Sequence, residues 1–369
     1  MLVWIAEGDF HMKWEGIKNP YALLSISFYL IHVIGLFYST NMKAGTFDLE
    51  QKLSFLLFPL LFFGIRIQNE LITKITKNYI LGSFLALFIC CINALIKYYY
   101  SHDVEVFFYT QFAVIIHSSY FAMYLCFAVA LLLFKPEVLG NSIAKFSLIL
   151  IFCIGIFLLS SKSGLIALGF ILLFKLLRNS YLHKNYLFLF VIISISIVVT
   201  VGIYKQFPKA FERFTQMKSS LTHNESELNT TTSRIIIWKH SVDIIKNNLV
   251  FGVGTGDVKD VLKSEYNKQT EGQLIEKQLN AHNQYLQTSI AFGLIGFFIL
   301  MSILFSVFYH CMKTNTKEGV IFVSLIIFNL LFESMLETQA GVVFIAFFLM
   351  LYLSMSTSQL KTKNTNIAT

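Results

Sequence analysis

Charged residues are scarce in this chain: Asp, Glu, Lys and Arg make up only 14% of its 369 residues, whereas 56% are hydrophobic. A soluble domain of this length needs more charge to cover its surface, so the composition excludes an ordinary soluble protein. Apolar runs of roughly 15–25 residues recur instead, and each is about long enough for an α-helix to cross ~30 Å of hydrocarbon. The sequence therefore predicts an all-α polytopic membrane protein.

Other features are also scarce or missing, and each excludes a class of function. The five cysteines lie in or at the edge of apolar runs, which argues against a disulfide framework or a metal site, and we expect no cofactor. Residues 1–20 have mixed polarity without an apolar core before a cleavage site, so no signal peptide is expected. No stretch is strongly basic, and nucleic acid is not expected as a partner.

Ten transmembrane helices are predicted from the apolar runs. Fourteen Lys and Arg residues fall in the short segments on one side of the membrane and four on the other. Because short cytoplasmic loops carry the excess, this places the N-terminus in the cytoplasm and the one long loop outside it. The chain then divides into helices over 1–204, an extracytoplasmic (periplasmic) loop with short helices over 205–283, and helices over 284–369. The predicted spans are about residues 21–38, 53–68, 79–96, 119–134, 143–160, 164–177, 185–204, 284–309, 318–334 and 341–356.

A histidine stands where the long loop enters the membrane. In Asn280–Gly296 a polar segment becomes apolar, and on a helix His282, Ser289, Gly293 and Gly296 fall on one face. Ser289 and Gly293 have the spacing of small residues at which helices pack closely in lipid. The positive end of the helix dipole favours a neutral imidazole, which can accept a proton. A histidine that only caps the helix or snorkels to the interface is the alternative.

The long loop contains a predicted amphipathic helix and a glycine-rich turn. The turn lacks the strand-turn-helix context of a nucleotide-binding loop. Its N–H groups could still hold an anionic oxygen, although simple turn geometry explains the glycines better. A second helix is predicted near residues 257–268. The first helix, about 233–246, has Thr232 or Ser233 as its cap, Arg234 in its first turn, an apolar edge of Trp238, Val242 and Ile245, and the turn glycines Gly252, Gly254 and Gly256 after it.

Further polar residues are predicted at the outer ends of other spans. Lys162 lies among serines in a very short outer hairpin, where it needs an anionic partner unless it snorkels to the interface. His117 and Tyr120 begin another span, and Glu333 and Glu337 follow a third. These clusters come from separate parts of the chain but share one predicted leaflet.

The spans themselves are poor in ionisable residues. His32 is almost the only one deep in an apolar run. A proton- or ion-coupled transporter would need carboxylates or paired charges near the middle of the bilayer. The pattern favours an enzyme that acts at the outer interface on a lipid-anchored anionic substrate.

These segments resemble motifs of the O-antigen ligase and O-antigen polymerase superfamily of bacterial inner membranes. His282-Asn283, followed after nine residues by Gly293 and after two more by Gly296, is similar to one family pattern. Arg234-x3-Trp238 with its glycine turn, the hairpin SSKSGLIAL and the span start HSSYFAMY resemble others. The family more often has arginine where this chain has Lys162, and lysine holds phosphate only as a point charge.

The resemblance implies a glycosyltransferase that moves a glycan from undecaprenyl pyrophosphate to lipid A-core or a similar acceptor at the periplasmic face, among membrane lipids and without metal. O-antigen polymerase, which joins lipid-linked repeat units, is the nearest alternative. A lipid-linked oligosaccharide flippase or other transporter and a non-catalytic scaffold are the others. The implied residues are His282 as general base, Arg234 and Lys162 on the pyrophosphate, and His117, Tyr120, Asn283 and Glu337 around the substrate.

Overall fold

The computed structural model describes residues 6, 8–65, 67–183, 230–268 and 280–368. Within these ranges the chain is helical and has no β-strand. Short 3-10 turns occur at Val104–Phe107, Pro136–Val138 and Met335–Glu337. The helices are, in chain order, α1 (Phe10–Ile17), α2 (Pro20–Leu36), α3 (Met42–Lys52), α4 (Ser54–Phe63), α5 (Asn69–Ser101), α6 (Tyr109–Phe112), α7 (Ser118–Phe134), α8 (Ser142–Leu158), α9 (Lys162–His183), α10 (Thr230–Asn247), α11 (Val258–Lys268), α12 (Gln284–Lys313), α13 (Lys317–Leu330) and α14 (Gln339–Ala368).

The helices agree in position with the apolar runs. Each predicted span in the described part of the chain falls on a helix, whereas the predicted span 185–204 lies outside that part. Among the described helices, α5, α9 over Lys162–Tyr181, and α12 are long and apolar enough to cross a membrane. The shorter apolar helices are α2, α7, α8 and Gln339–Met355 of α14. The prediction of an all-helical fold is confirmed for the described residues, three of whose helices could cross a membrane, and the count of ten spans stays a prediction.

The chain forms two compact units, and the first consists of Met1–Ile72 and Ser233–Thr369. In this unit α12 packs against α2, α13 and α14, and α4 packs against α2 and α14. In a bilayer such helices are held together by close packing rather than by exclusion of water. Phenylalanine side chains that are wholly buried fill the spaces between them: Phe28, Phe55, Phe292 and Phe322.

The second unit is Thr73–Thr232. Its helix α7 is almost entirely buried and packs against α8 and α9. Gly164 permits this close approach, since a Cβ added there would lie 2.5 Å from the Cβ of Ala122. Because Gly164 is in the first turn of α9 and Ala122 near the start of α7, the α8–α9 hairpin and the N-terminal end of α7 lie at the same end of the unit.

The helix that follows His282 is interrupted. Gly293 has φ +60° and ψ −150°, which no helical residue adopts. The amide of Leu294 donates to the carbonyl of Leu249 at 2.9 Å instead of to its own helix. The carbonyls of Ile290 and Ala291 accept the amides of two residues of the glycine turn, each at 2.9 Å. A loop from elsewhere in the chain thus completes the hydrogen bonding of a broken helix.

The break corrects the prediction of one continuous face through His282, Ser289, Gly293 and Gly296, because such a face needs an uninterrupted helix. A Cβ on Gly293 would lie 2.4 Å from the carbonyl group of Val250, so its close neighbour is this loop and not another helix. The atoms nearest to a Cβ on Gly296 would be side-chain atoms of its own helix. The packing role of Ser289, which is buried, stays a prediction.

The amides of the glycine turn are all used inside the protein. Those of Val253 and Gly254 donate to α12, as described, and that of Gly252 donates to Asn248. The amide of Thr255 reaches the carbonyl of Gly35 at 3.4 Å, and the amide of Gly256 donates to the Ser39 hydroxyl at 3.0 Å. The turn therefore has a structural role, and the expectation that it could form an anion-binding nest is wrong.

The two predicted helices of the long loop are present as α10 and α11. Helix α10 already begins at Thr230, so Thr232 and Ser233 lie inside it and do not cap it. Its buried apolar residues are Ile237 and Ile244, with Trp238 and Ile245 at the edge of the same cluster, whereas Val242 is exposed. The predicted apolar edge was therefore displaced by a fraction of a turn.

Candidate functional site

His282 is held in an unusual backbone conformation directly before α12. Its φ is +45°, in the left-handed region that costs a residue with a side chain on the order of 1–3 kcal/mol. Its amide donates to Asn280 Oδ1 at 2.9 Å. The preceding residue, Ala281, is buried, with its amide bonded to Gln287 Oε1 at 2.9 Å and its carbonyl to Trp238 Nε1 at 3.0 Å. These bonds hold the backbone from which the imidazole projects.

Glu333 joins His282 to a residue of α10. Its Oε1 accepts a hydrogen bond from Arg234 Nη2 at 2.8 Å, and its Oε2 lies 3.4 Å from His282 Nδ1. The side chains of Arg234 and His282 are 24% and 25% exposed, and that of Glu333 is 11% exposed. We call these three residues the Glu333 bridge. It places a cation, a carboxylate and an imidazole beside a surface that a ligand can reach.

Arg234 has more donors than the bridge uses. The described contacts include one hydrogen bond from its guanidinium, through Nη2. Its Nε is buried and has no hydrogen-bond partner in the described part of the chain. A buried donor without a partner costs about 1–3 kcal/mol, and the planar guanidinium can bind two oxygens of a carboxylate or phosphate at once. An anionic oxygen is the chemical group that best fits this position.

The start of α10 is positioned by apolar packing. Ile237 is fully buried in one cluster with Ala281, Ile290 and Phe292. Ile237 follows Arg234 by three residues, so it lies close to the same face of the helix. The packing that anchors α10 on α12 therefore also sets where Arg234 stands relative to His282.

A second group of charges lies in the same unit and is enclosed. Lys52 has a side chain only 2% exposed, and its Nζ pairs with Asp48 and, at 3.4 Å, with Glu337 Oε1. His32 Nε2 lies 3.9 Å from Asp48. Burial alone would lower the pKa of Lys52, but the two carboxylates outweigh it and hold the pKa above its usual value. We call these four residues the Lys52 cluster; with Thr255, Gln287 and Thr288 they line a cavity with room for about one water molecule.

Gln284 connects the Lys52 cluster to the start of α12. Its Nε2 reaches Glu337 Oε1 at 3.4 Å, and its Oε1 accepts the amide of Leu336 at 2.8 Å. Gln284 follows His282 by two residues. The buried ion pairs therefore help to fix the helix end that carries the histidine.

Two predicted substrate ligands have structural contacts instead. Asn283 is buried and caps α12, where its Oδ1 accepts the amide of Leu286 at 3.1 Å. Glu337 is committed to Lys52 and Gln284, and Glu333 is the carboxylate that lies beside His282. Neither geometry favours direct contact of Asn283 or Glu337 with a substrate.

The other predicted ligands belong to the second unit. Lys162 is the first residue of α9 and directly follows Ser160 and Ser161, of which Ser160 has φ +48°. His117 caps α7 through a 3.4 Å contact from the amide of Ser119, and its ring lies 6.0 Å from that of Tyr120. Lys162, His117 and Tyr120 thus share one end of their unit. Their roles in substrate binding stay predictions.

The Lys52 cluster is the part that the sequence analysis missed. Asp48 and Lys52 were assigned to an outer loop, although an acid followed four residues later by a base is typical of a paired helix face. Glu333 was recognised only as one of two carboxylates after a span. Its pairing with Arg234, which is far away in sequence, has no local signal.

Comparisons with known proteins agree with the motifs. A family model described as O-antigen ligase matches residues 146–301, the range that contains Lys162, Arg234 and His282. A protein of Haemophilus influenzae, described as an uncharacterized protein, is 27% identical over 184 residues, which is 44% of this chain and 45% of the relative. The match with this chain thus spans less than half of that relative's length.

Proposed function

From the match of residues 146–301 to the O-antigen ligase family model, we propose that the chain is a membrane glycosyltransferase of the ligase type. In this proposal it moves a glycan from undecaprenyl pyrophosphate to a hydroxyl of lipid A-core, or of a similar acceptor, at the periplasmic face of the inner membrane. The observation that carries the proposal is the Glu333 bridge, which brings Arg234 and His282 to one partly exposed place.

His282 serves as the general base. When its Nδ1–H donates to Glu333, Nε2 keeps its lone pair and can accept the proton of the attacking hydroxyl. The Glu333 carboxylate then stabilises the imidazolium that forms, as the carboxylate does in Ser-His-Asp enzymes. A positioned base of this kind typically accelerates a reaction by ~10²–10⁴.

Arg234 stabilises the leaving group. Breaking the bond between the sugar and the pyrophosphate places the electron pair on a phosphate oxygen, and a fixed guanidinium favours that charge. One N–H of Arg234 is held by Glu333, and the side chain is 24% exposed, so its other guanidinium N–H groups are proposed to bind phosphate oxygens. Lys162 is proposed as a second cation, and His117 and Tyr120 as substrate ligands.

The test is a reconstituted reaction with purified protein, lipid-linked donor and lipid A-core. We expect the wild type to release undecaprenyl pyrophosphate in step with glycan transfer, and Arg234→Ala to lose about 10²–10³ in rate. Lys239→Ala is the matched control, since Lys239 is an exposed cation on the same helix, and it should keep full activity. If the wild-type protein releases no undecaprenyl pyrophosphate, the enzyme proposal is overturned and transport is favoured.

Cells that lack the gene distinguish ligase from polymerase. Loss of a ligase leaves long glycans on the lipid carrier, whereas loss of a polymerase leaves single repeat units attached to the core. Electrophoresis of lipopolysaccharide from such cells shows which species accumulates. Single repeats on the core would replace the ligase proposal with O-antigen polymerase and keep the roles of His282 and Arg234.

A further inference from the structure

The loop between α10 and α11 presents an apolar tip outward. Leu249, Val250 and Phe251 are 48%, 49% and 67% exposed, and they follow one another in sequence. In water, contiguous exposed apolar surface of this kind promotes association with other molecules or aggregation. Its location in the fold shows what surrounds it.

The tip lies beside α12 at the point where that helix becomes apolar. The residues from Gln284 to Ser289 are mostly polar, and an apolar run begins at Ile290. The loop is bonded to this first apolar turn through Val253 to Ile290 and Leu249 to Leu294, both at 2.9 Å. The tip therefore lies level with the first apolar residues of α12.

The surface around the tip is also apolar and outward-facing. Leu294 and Phe298, on the apolar part of α12, are exposed, and Leu294 is bonded directly to the loop. On the other side, the Tyr38 hydroxyl donates to the carbonyl of Phe251 at 2.8 Å, and the neighbouring Phe37 is 86% exposed. Helix α12 is long and apolar enough to cross a membrane. The tip therefore extends the apolar surface that this helix would present to lipid.

We propose that Leu249, Val250 and Phe251 insert into the bilayer and contact the acyl chains of its lipids. Irregular backbone survives at membrane depth only when its polar groups are satisfied within the protein. The glycine turn that follows the tip meets this condition, because its amides are bonded to α12, to Gly35 and to Ser39. At the tip itself, the carbonyls of Leu249 and Phe251 accept hydrogen bonds from the Leu294 amide and the Tyr38 hydroxyl. The occupant of the patch is lipid hydrocarbon, which matches its lack of polar side chains.

The insertion fixes the position of α10 relative to the membrane surface. Phe251 lies four residues beyond Asn247, the last residue of α10, so a tip held in the bilayer tethers that end of the helix at the interface. The segment assigned from sequence to an aqueous loop thus has a membrane anchor between its two helices. This inference concerns lipid contact and does not depend on the proposed activity.

The experiment is photolabelling of the full chain in vesicles. The vesicles contain phosphatidylethanolamine, phosphatidylglycerol and a phosphatidylcholine with a diazirine midway along one acyl chain. Trypsin then releases residues 247–259, which carry the tip, and residues 240–246, which carry the exposed Val242 of α10 as a matched control. Residues 78–97 of α5 serve as the membrane-embedded standard.

We expect lipid adducts on 247–259 at least about tenfold above those on 240–246, because the reactive group is confined to the ~30 Å hydrocarbon layer. The adducts should fall on Leu249, Val250 or Phe251 in fragment spectra. Labelling of 78–97 without labelling of 247–259 overturns the proposal.

Discussion

The Glu333 bridge and the Lys52 cluster lie at the same end of the first unit, yet their charges are used differently. In the bridge, one carboxylate is shared by a guanidinium and an imidazole that are each about a quarter exposed. In the cluster, a lysine that is almost wholly buried is held between two carboxylates. The first arrangement leaves donors and an imidazole nitrogen for a ligand, and the second commits its ammonium group to internal partners.

The difference separates charges that remain accessible to a ligand from charges that support the structure. Enclosing ions costs several kcal/mol per ion in lost hydration, so a buried cluster persists only when its charges pair with one another. Gln284 bonds to Glu337 of this cluster and to the Leu336 amide, and it thereby fixes the start of α12 next to His282. The Lys52 cluster therefore helps to position His282 of the Glu333 bridge.

The largest expected effect is a loss of turnover when the Glu333 bridge loses its histidine. In the proposed reaction His282→Ala removes the base and should lower turnover by ~10²–10⁴ while the protein remains folded. His102→Ala is the matched control, because His102 is also exposed and also has positive φ, +52°. Transfer assays and thermal unfolding of both variants check this. Full activity of His282→Ala would exclude the imidazole as the base.

Lys52→Met tests the structural role of the Lys52 cluster through the free energy of unfolding. Removing the ammonium leaves the carboxylates of Asp48 and Glu337 enclosed without their cation, at a cost of about 3–5 kcal/mol. Lys43→Met is the control, since Lys43 is an exposed lysine of the same helix and should change stability little. Unfolding followed by circular dichroism in detergent measures both. Adding Asp48→Asn and Glu337→Gln to Lys52→Met should recover part of the loss.

Glu333→Gln tests how the bridge orients the histidine. The amide NH₂ of glutamine can donate to His282 Nδ1, which forces the ring proton onto Nε2 and removes the acceptor. We expect a loss of about 10² in turnover, with donor binding reduced less. Steady-state kinetics separate the two. An unchanged turnover would mean that Glu333 only pairs with Arg234.

Gly293→Ala tests the break that brings the loop onto α12. A Cβ there meets the Val250 carbonyl group at 2.4 Å, and positive φ is strained for alanine, so a loss of about 2 kcal/mol or more is expected. Gly82→Ala is the control, because no atom lies within 4 Å of a Cβ at that helical position. If both variants unfold at the same temperature, the close contact at Gly293 does not support the fold.

The sequence predicted features that depend on local pattern. The apolar runs predict α2, α4, α5, α7, α8, α9, α12, α13 and α14, because a membrane-spanning helix must be apolar along its length. Most of these helices begin within a few residues of the predicted span, although α5 begins at Asn69 and not near residue 79. The motif around His282 and Arg234 was found because its residues are close together or regularly spaced. The break at Gly293 was not, since the amides that compensate it come from residues about forty positions earlier.

The smallest expected effect concerns pH and the Lys52 cluster. The pKa of Lys52 is raised in the folded protein, so its charge contributes stability fully below the unfolded value of about 10.4 and loses that contribution only as the pH rises through the folded value. The difference in stability between wild type and Lys52→Met should therefore stay constant from about pH 7 to 9. Unfolding temperatures of both proteins across this range test it. A difference that shrinks by pH 9 would show that the carboxylates do not hold the ammonium as strongly as their distances imply, and the Lys52 cluster would then resemble an accessible site more than an enclosed one.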